Sequence, residues 1–405
     1  MNFEKNKVVV TGMGVLTPVA KGISEFSNAL KKGISNFSDI QFEHQSSNYN
    51  YPIAKIQDFL FRESLKEMEL NAEVLSKATR LRNISHSAAY GIYTALEAWL
   101  DAGIENQIAH EKIAILSCGS NTQQNTIHET QKKYDVKLHF LNPNYGINFF
   151  DTDIIGALSS ILGIRGEGYS VGSSSASGNM GIIQGCRLIA SGEYSAVIVV
   201  APMMDLSIYE YQAFTALGAM MTIDENTDFS KMYRPFDQDR KGFVYGSNAG
   251  CLVLESSEVA KKRGKLPYAT IAGYGLSLDG NRNPNPSEEG EYRAMKSAIE
   301  SASISAHDIA YVNTHGSGSS LGDQTEIAAM LNIGLEGVKA NSTKSLIGHG
   351  LSAAGLVESI ATVLQMKNKF IHKSNNLDNP IADTIDWVTG THQSSDSKSI
   401  VLRYA

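Results

Sequence analysis

The stretch KVVVTGMGVLTP, residues 7–18, decides the fold together with its weaker echo YATIAGYGLSLDG at 268–280. Each begins with β-branched and other apolar residues and passes into a glycine-containing turn, as the first strand of an α/β unit does. A similar beginning at two points of one chain predicts a duplicated α/β unit. We therefore expect two halves, 1–255 and 256–405, joined near 254–268.

Between these two beginnings, strand-like and helix-like patterns alternate. A helical pattern at 85–103 precedes the apolar strand KIAILSCGS at 112–120, and a second one at 178–194 leads into SAVIVVAPM at 195–203. The second half continues in the same way, with a helical pattern at 351–368 after its last histidine-containing loop. Alternation of this kind predicts a mostly parallel sheet covered by helices.

Composition excludes several classes of protein. The 405 residues are 42% hydrophobic and 19% charged, with a net charge of −7, which argues against nucleic acid as a partner. No apolar run reaches the ~18–20 residues of a membrane span, and the N-terminus lacks a signal-peptide core, so a cytoplasmic protein is expected. Cys118, Cys186 and Cys251 lie in apolar stretches, which indicates buried packing rather than a disulfide framework or a zinc site.

Polar side chains follow three of the predicted strands. Ser175 lies in the turn YSVGSSSASGNMG at 169–181, His315 in VNTHGSGSSLGD at 312–323, and Lys344 and His349 in NSTKSLIGHGLSAAG at 341–355. Ligands of open α/β sheets bind outside the carboxyl ends of the strands. We therefore expect these loops to form one pocket, although a histidine that only stabilises its own loop is the alternative.

Two other kinds of site are weaker interpretations of these glycine-rich loops. The pattern from Gly12 lacks the third glycine of a dinucleotide fingerprint, because Thr17 stands there. His315, Asp323 and His349 lack the spacing of metal ligands. The sequence therefore predicts neither a nicotinamide cofactor nor a metal.

The chain resembles the β-ketoacyl synthases of the thiolase-fold superfamily over nearly its whole length. The similar motifs are VVVTGMGVLTP at 8–18, YRPFDQDRKGFVYG at 233–246, and the two histidine loops at 313–323 and 341–355. The resemblance implies a five-layered αβαβα thiolase fold made of two similar halves, and a homodimer. It also implies substrates carried as thioesters on the phosphopantetheine of an acyl carrier protein, with no other cofactor.

The resemblance also implies roles for individual residues. His315, His349 and Lys344 match the active-site histidines and lysine of the family, and Glu358 matches a glutamate just outside that site. Ser317 and Ser319 stand where the family has threonines that hydrogen-bond the pantetheine arm. Ser175 stands where the family has its nucleophilic cysteine.

The serine at position 175 departs from the family pattern. The family turn reads Thr-Ala-Cys-Thr-Ser-Gly or close to it, whereas residues 173–178 read SSSASG. A helix N-terminus lowers the pKa of a thiol, but a hydroxyl starts many units above the ~8.5 of a thiol and would need an adjacent general base. We expect acyl loading on Ser175 to be very slow.

A second departure lies near the C-terminus. Family members have a glycine-rich Gly-Phe-Gly-Gly-Thr-Asn loop, whose phenylalanine gates the acyl chain and whose backbone contributes to the oxyanion hole. After Gly355 this sequence has only Gly390 and ends in SIVLRYA. The sequence as given therefore lacks the loop, either because the protein has lost it or because the given sequence stops before it.

Both departures affect acyl transfer and leave the decarboxylation machinery intact. The sequence thus predicts decarboxylation of malonyl-acyl carrier protein to acetyl-acyl carrier protein. It resembles the serine-for-cysteine ketosynthases of polyketide β-branching cassettes, where a hydroxymethylglutaryl-CoA-synthase-like enzyme uses the acetyl group. A condensing enzyme with Ser175 as a slow nucleophile, and a silent chain-length-factor-like partner, remain as alternatives. Such partners generally lose the histidines, whereas His315 and His349 are both present.

An acyl carrier protein is acidic, so its partner needs basic residues near the pocket mouth. Two groups of basic residues are candidates. The first group is Lys77, Arg80 and Arg82, and the second is Lys132 and Lys133. The alternative interpretation of both groups is a solvated charged face.

Overall fold

The computed structural model describes residues 7–282, 284–390, 392–393 and 400–403. The helices are α1 Ile23–Lys32, α2 Phe61–Lys66, α3 Ala72–Thr79, α4 His86–Ala102, α5 Gln124–Tyr134, α6 Tyr145–Asn148, α7 Asp153–Leu162, α8 Ser177–Ala190, α9 Ile208–Ala216, α10 Ser257–Lys262, α11 Glu288–Ala302, α12 Ser320–Asn332, α13 Lys344–Ile347 and α14 Ala354–Asn368. Short 3-10 turns span His110–Lys112, Leu138–Phe140, Ser174–Ala176, Ala306–Asp308 and Leu351–Ala353. The strands are β1 Val8–Thr17, β2 Ala20–Lys21, β3 Ser38–His44, β4 Ser47–Ala54, β5 Ile113–Cys118, β6 Gly168–Val171, β7 Ala196–Ala201, β8 Tyr245–Gly246, β9 Ala249–Ser256, β10 Ala269–Ile271, β11 Ile309–Asn313, β12 Lys339–Asn341, β13 Phe370–Ile371, β14 Asp386–Trp387, β15 His392–Gln393 and β16 Ile400–Arg403.

The first large sheet has the order β10-β1-β9-β7-β5-β6, with β2 beside β1. Strand β5 is parallel to β6 and β7, as predicted, but β9 is antiparallel to both β7 and β1. The prediction of a mostly parallel sheet is therefore wrong for this side. The chain enters β9 at the end of the sheet where β7 finishes, with Ala201 opposite Gly250, so the two strands run in opposite directions.

The second large sheet has the order β14-β12-β11-β16, and all its pairs are parallel. The predicted opening strand of the second half does not belong to it. That strand is only β10, and it pairs antiparallel with β1 in the first sheet, Val8 opposite Ile271. The first sheet thus takes strands from both predicted halves.

The repeated glycines have the same physical use in both halves. A Cβ on Gly12 or Gly14 would lie within 2.3 Å of a backbone oxygen of α4, that of Ala98 or Thr94. A Cβ on Gly275 would lie 2.0 Å from the oxygen of Ala294 in α11, and Gly273 faces the same helix. In each half, glycine lets a helix pack directly on the backbone of the segment that opens the repeat.

The large sheets and their helices form layers. Helices α4 and α7 pack on the outer face of the first sheet, and α8 with α14 covers its inner face. Helix α14 also contacts β13 and β16, so this helix pair lies between the sheets. Helices α11 and α12 pack against β11 and β12 on the far side, which completes the five layers. In the part of the chain that is described, no helix is long and apolar enough to cross a bilayer.

Candidate active site

Ser175 lies in the 3-10 turn Ser174–Ala176, directly before α8. The hydroxyl of Ser177 holds this turn, since it accepts from the Ser173 N–H at 2.8 Å and donates to the Ser174 carbonyl at 2.7 Å. Ser174 has a φ of 45°, a conformation that a residue with a side chain seldom adopts. The turn presents Ser175 half-buried ahead of the N-terminus of a central helix.

His349 is fixed by its backbone and by its ring. Its N–H donates to the Val244 carbonyl at 2.8 Å, and its carbonyl accepts from the Gly246 N–H at 3.0 Å. The ring stacks edge to face with Phe243, 5.3 Å between centroids. The Leu351 N–H donates to Nδ1 at 3.2 Å. Because Nδ1 accepts, the proton of the neutral imidazole is on Nε2.

The Nε2 atom of His349 lies 3.1 Å from Oγ of Ser175. With the ring proton on Nε2, the histidine is the donor of this hydrogen bond and Ser175 is its acceptor. The two loops that the sequence predicted to meet do meet. The contact has the opposite sense from that of a histidine acting as a general base on a serine nucleophile.

His315 follows β11 and faces the same space as His349. The two rings are 5.2 Å apart between centroids and nearly perpendicular, at 85°. The carboxylate of Glu326 accepts from the backbone N–H groups of His315 and Gly316, at 2.6 and 2.7 Å, and thereby holds the loop in place.

Lys344 connects His315 to the protein interior. Its ammonium donates to the His315 carbonyl and lies 3.4 Å from Nδ1 of the same residue. It also pairs with Glu358 at 2.6 Å, and both side chains are buried. A donor at Nδ1 leaves the proton of the neutral His315 ring on Nε2. Both histidines therefore present an Nε2–H donor.

Ser317 and Ser319 lie on the loop between His315 and α12. Their hydroxyls are 2.9 Å apart, and Oγ of Ser319 accepts from the Gly322 N–H at 3.2 Å as the N-cap of α12. Ser317 is buried and Ser319 half-buried. Both serines follow His315 closely in the chain. The structure shows in addition that Ser319 caps α12, a role that the sequence did not predict.

Asp323 has a role that sequence reasoning missed. Its carboxylate accepts from the N–H groups of Phe236 at 2.7 Å and Gly318 at 2.9 Å, and Arg240 lies 3.6 Å away. Burial raises the pKa of Asp323 to about 7. The residue joins the RPFDQDR stretch to the His315 loop. The presence of Arg240 in that stretch was the available signal, since a buried carboxylate needs a partner.

A fourth loop, after β5, borders the serine turn. A Cβ on Gly172 would lie 1.9 Å from Oγ of Ser120, and one on Gly119 would lie 3.0 Å from Oγ of Ser352. The 3-10 turn that contains Ser352 packs against the one that contains Ser175. The hydroxyl of Ser352 is buried and has no hydrogen-bond partner among the described residues. The surroundings of Ser175 are thus rich in hydroxyl groups.

The cysteines cannot supply the missing thiol. Cys118, Cys186 and Cys251 are buried, as predicted. Burial raises the pKa of Cys118 and of Cys186 to about 12, and raises that of Cys251 further. Buried thiols with raised pKa values are inert.

The glycine-rich loop absent from the given sequence would follow β16. Residues 394–399 and 404–405 lie outside the described residues. That expectation stays a prediction.

The comparison with protein families decides the assignment. The N-terminal domain of the β-ketoacyl synthases matches residues 5–260, and their C-terminal domain matches residues 268–378. The chain belongs to the β-ketoacyl synthase family. The resemblance inferred from the motifs is thereby confirmed.

Similar proteins cover this ketosynthase-family chain almost completely. It is 38% identical over 382 residues to the polyketide biosynthesis malonyl-ACP decarboxylase PksF of Bacillus subtilis, covering 94% of this chain and 89% of that relative. It is 31% identical over 393 residues to 3-oxoacyl-[acyl-carrier-protein] synthase 2 of Vibrio cholerae, covering 93% and 90%. A crystal structure of a β-ketoacyl synthase from Burkholderia phymatum superposes with a TM-score of 0.84, at 25% identity and with 99% and 96% covered. The thiolase fold is confirmed.

Proposed function

We propose that this ketosynthase-family chain decarboxylates malonyl-acyl carrier protein to acetyl-acyl carrier protein and carries out no condensation. The observation that carries the proposal is the direction of the hydrogen bond between His349 and Ser175. A serine becomes a nucleophile when a neighbouring base removes its proton. Since His349 donates to Ser175, acyl transfer to this residue lacks its base.

The remaining side chains suit decarboxylation. When the bond between the α-carbon and the carboxylate breaks, its electron pair moves into an enolate, and negative charge develops on the thioester oxygen. In this proposal the Nε2–H groups of His315 and His349 donate to that oxygen. Preorganised donors aimed at developing charge are a large catalytic contribution. The ammonium of Lys344, 3.4 Å from Nδ1 of His315, adds positive potential and keeps that ring a donor.

The substrate carrier is an acyl carrier protein in this proposal. The names of the Bacillus subtilis and Vibrio cholerae relatives both refer to an acyl carrier protein. Ser317 and Ser319 lie close to His315 and carry hydroxyls suited to a pantetheine arm. Exposed basic residues are available for an acidic carrier protein: Lys77, Arg80, Arg82, Lys132 and Lys133.

The metabolic role that we propose is polyketide β-branching. The Bacillus subtilis relative is named for polyketide biosynthesis, and an enzyme that releases acetyl-carrier protein needs a second enzyme to use the acetyl group. We propose that this second enzyme is similar to hydroxymethylglutaryl-CoA synthase.

We further propose that the functional unit is a homodimer. Strand β6 is the last strand of the first sheet, and its outer edge has no neighbouring strand among the described residues. Two aromatic side chains of this half are exposed: Tyr169 on β6 is 37% exposed, and Phe150 in the segment before α7 is 52% exposed. An uncovered strand edge beside apolar surface favours pairing with a second chain.

Mass spectrometry of malonyl-loaded carrier protein incubated with the enzyme tests the proposed function. We expect acetyl-carrier protein to form in the wild type and in Ser175→Ala, and to be lost in His315→Ala and His349→Ala. A stable acyl ester on Ser175 together with a condensation product would show a condensing enzyme. Absence of acetyl-carrier protein from the wild type, with activity only beside a second ketosynthase, would show a silent partner.

A further inference from the structure

The proposed decarboxylation leaves one step without an assigned group. Once carbon dioxide departs, the α-carbon of the enolate must receive a proton. A condensing enzyme has no such step, because there the enolate carbon attacks an acyl group. The need for this proton rests on the proposed function, and the site must contain its source.

The hydrogen bonds at the site leave few candidate donors. The Nε2–H of His315 is available to the enolate oxygen, and the Nε2–H of His349 is shared between that oxygen and Oγ of Ser175. The ammonium of Lys344 is buried and paired with Glu358 at 2.6 Å, so it does not reach the substrate carbon. Oγ of Ser175 is the acceptor of the hydrogen bond from Nε2–H of His349. The hydroxyl proton of Ser175 is therefore directed elsewhere.

The geometry allows Ser175 to reach the carbon that must be protonated. Its Oγ lies 3.1 Å from Nε2 of His349. A thioester oxygen bound to the same Nε2–H lies about 3 Å from that nitrogen. The carbonyl carbon is about 1.2 Å beyond the oxygen, and the α-carbon about 1.5 Å further. Both Oγ and the α-carbon thus lie within a few ångströms of one imidazole nitrogen.

We propose that the hydroxyl of Ser175 delivers the proton to the α-carbon of the enolate. In this step the O–H bond of Ser175 breaks and a C–H bond forms from the electron pair of the enolate double bond, while the thioester carbonyl is restored. In the same step Oγ takes a proton from a water molecule. The resulting hydroxide combines with carbon dioxide to give bicarbonate. Overall, malonyl thioester and water give acetyl thioester and bicarbonate.

The surroundings of Ser175 allow this exchange with water. Ser175 is half-buried, and Ser174 beside it is exposed, so the turn is within reach of solvent. Ser120 and Ser352 add hydroxyl groups around the turn. A water molecule needs such polar partners to be held at a fixed place. With Ser175 as the fixed proton donor, the α-carbon receives its proton on one face of the planar enolate only.

The stereochemical course of the reaction tests the proposal. The substrate is malonyl-carrier protein that carries one deuterium at a defined position of its methylene group, and the solvent is tritiated water. The full-length wild type is expected to give an acetyl methyl group of one configuration. Ser175→Ala is expected to form acetyl-carrier protein within about tenfold of the wild-type rate, because loss of carbon dioxide precedes this step, but with a racemised or inverted methyl group.

Two further variants make the result decisive. Ser175→Thr keeps a hydroxyl and is expected to keep the wild-type configuration. Ser173→Ala removes a neighbouring hydroxyl from the same turn and is expected to change nothing. A racemic wild-type product overturns the proposal, as does an unchanged configuration in Ser175→Ala. A wild type that forms no acetyl-carrier protein overturns the proposed function itself, so the two failures are distinguishable.

Discussion

The backbone N–H of Leu351 donates to Nδ1 of His349 at 3.2 Å, and this bond determines where the imidazole carries its proton. Leu351 reaches this position with a φ of 51°, in the left-handed region that leucine seldom occupies. Strained backbone of this kind persists where surrounding structure holds it. Its consequence is a histidine that donates hydrogen bonds at Nε2, toward Ser175 and the proposed substrate oxygen.

Removal of either histidine should impair decarboxylation. For His315→Ala and for His349→Ala we expect the rate of acetyl-carrier protein formation to fall by ~10²–10³, the usual effect of deleting one donor to developing negative charge. Mass spectrometry of the carrier protein measures it. His307→Ala is the control and should be fully active, because this exposed histidine precedes β11 whereas His315 follows the other end of that strand. A loss below about tenfold in both active-site variants would contradict the donor role.

The buried pair of Lys344 and Glu358 should couple stability to activity. Lys344→Met leaves the Glu358 carboxylate buried without its cation, and we expect the free energy of unfolding to fall by ~3–5 kcal/mol. Adding Glu358→Met removes that charge and should restore most of the loss, as judged by urea unfolding. Activity should stay low in the double variant, because His315 has lost its donor at Nδ1. Full activity in the double variant would mean that Lys344 acts only on stability.

A thiol at position 175 should be reactive. Ser175→Cys places a thiol ahead of α8, where the helix N-terminus lowers its pKa. We expect one iodoacetamide adduct at pH 7 in this variant and none in the wild type, whose three cysteines are buried with raised pKa values. Ser174→Cys, at an exposed position, supplies an ordinary thiol for comparison and should react more slowly. Peptide mass mapping locates the adduct, and equal rates would refute an activated position.

His372 should make the fold acid-sensitive. Complete burial lowers its pKa from 6.5 to about 4, with Nε2 bonded to Thr343 and Nδ1 to the Lys373 carbonyl. As the pH drops, His372 therefore binds a proton in the unfolded chain before it does so in the folded chain. The free energy of unfolding falls between about pH 6.5 and about pH 4, by ~3 kcal/mol in total.

The matched variant for this pH dependence is His372→Asn. It should be less stable than the wild type at pH 7 and should lose less stability between pH 6.5 and pH 4.5, as measured by urea unfolding at each pH. Identical slopes for the two proteins would assign the acid sensitivity to other groups.

The proposed dimer predicts an effect of charge at the exposed aromatic residue Phe150, in the segment before α7. Phe150→Asp should shift the protein toward monomers in light scattering while circular dichroism stays unchanged, because the side chain is 52% exposed in the single chain. Leu278→Asp changes an even more exposed residue in another loop, at 91% exposure, and should leave the oligomeric state unchanged. A monomeric wild type would contradict the homodimer.

Much of the fold was predictable from local patterns. Strand β1 and helix α4 appear where the apolar runs and the flanking Ser85 and Gly103 predict them. The position of β10 was not predictable, because a short apolar run does not specify which sheet it joins. Its pairing with β1 depends on the path of the chain after β9.

The candidate site was predictable as a set of residues but not as an arrangement. Glycine-rich loops after strands indicated that Ser175, Lys344, His315 and His349 would lie together, and they do. The sequence suggested only a metal-ligand role for Asp323, because one of its backbone partners, Phe236, lies 87 residues away in the chain. The role of Leu351 had no sequence signal, because it acts through its backbone N–H.

The amino-acid sequence by itself determined which chemical groups are available: a hydroxyl in place of a thiol at position 175, two histidines, and a lysine with a matching glutamate. Only the tertiary structure decided which of these groups give protons and which accept them. The positions of the protons depend on distances of about 3 Å between atoms of different loops. Residue types and spacings do not encode such distances. The contact between Leu351 and His349 makes Ser175 the acceptor of the hydrogen bond from Nε2.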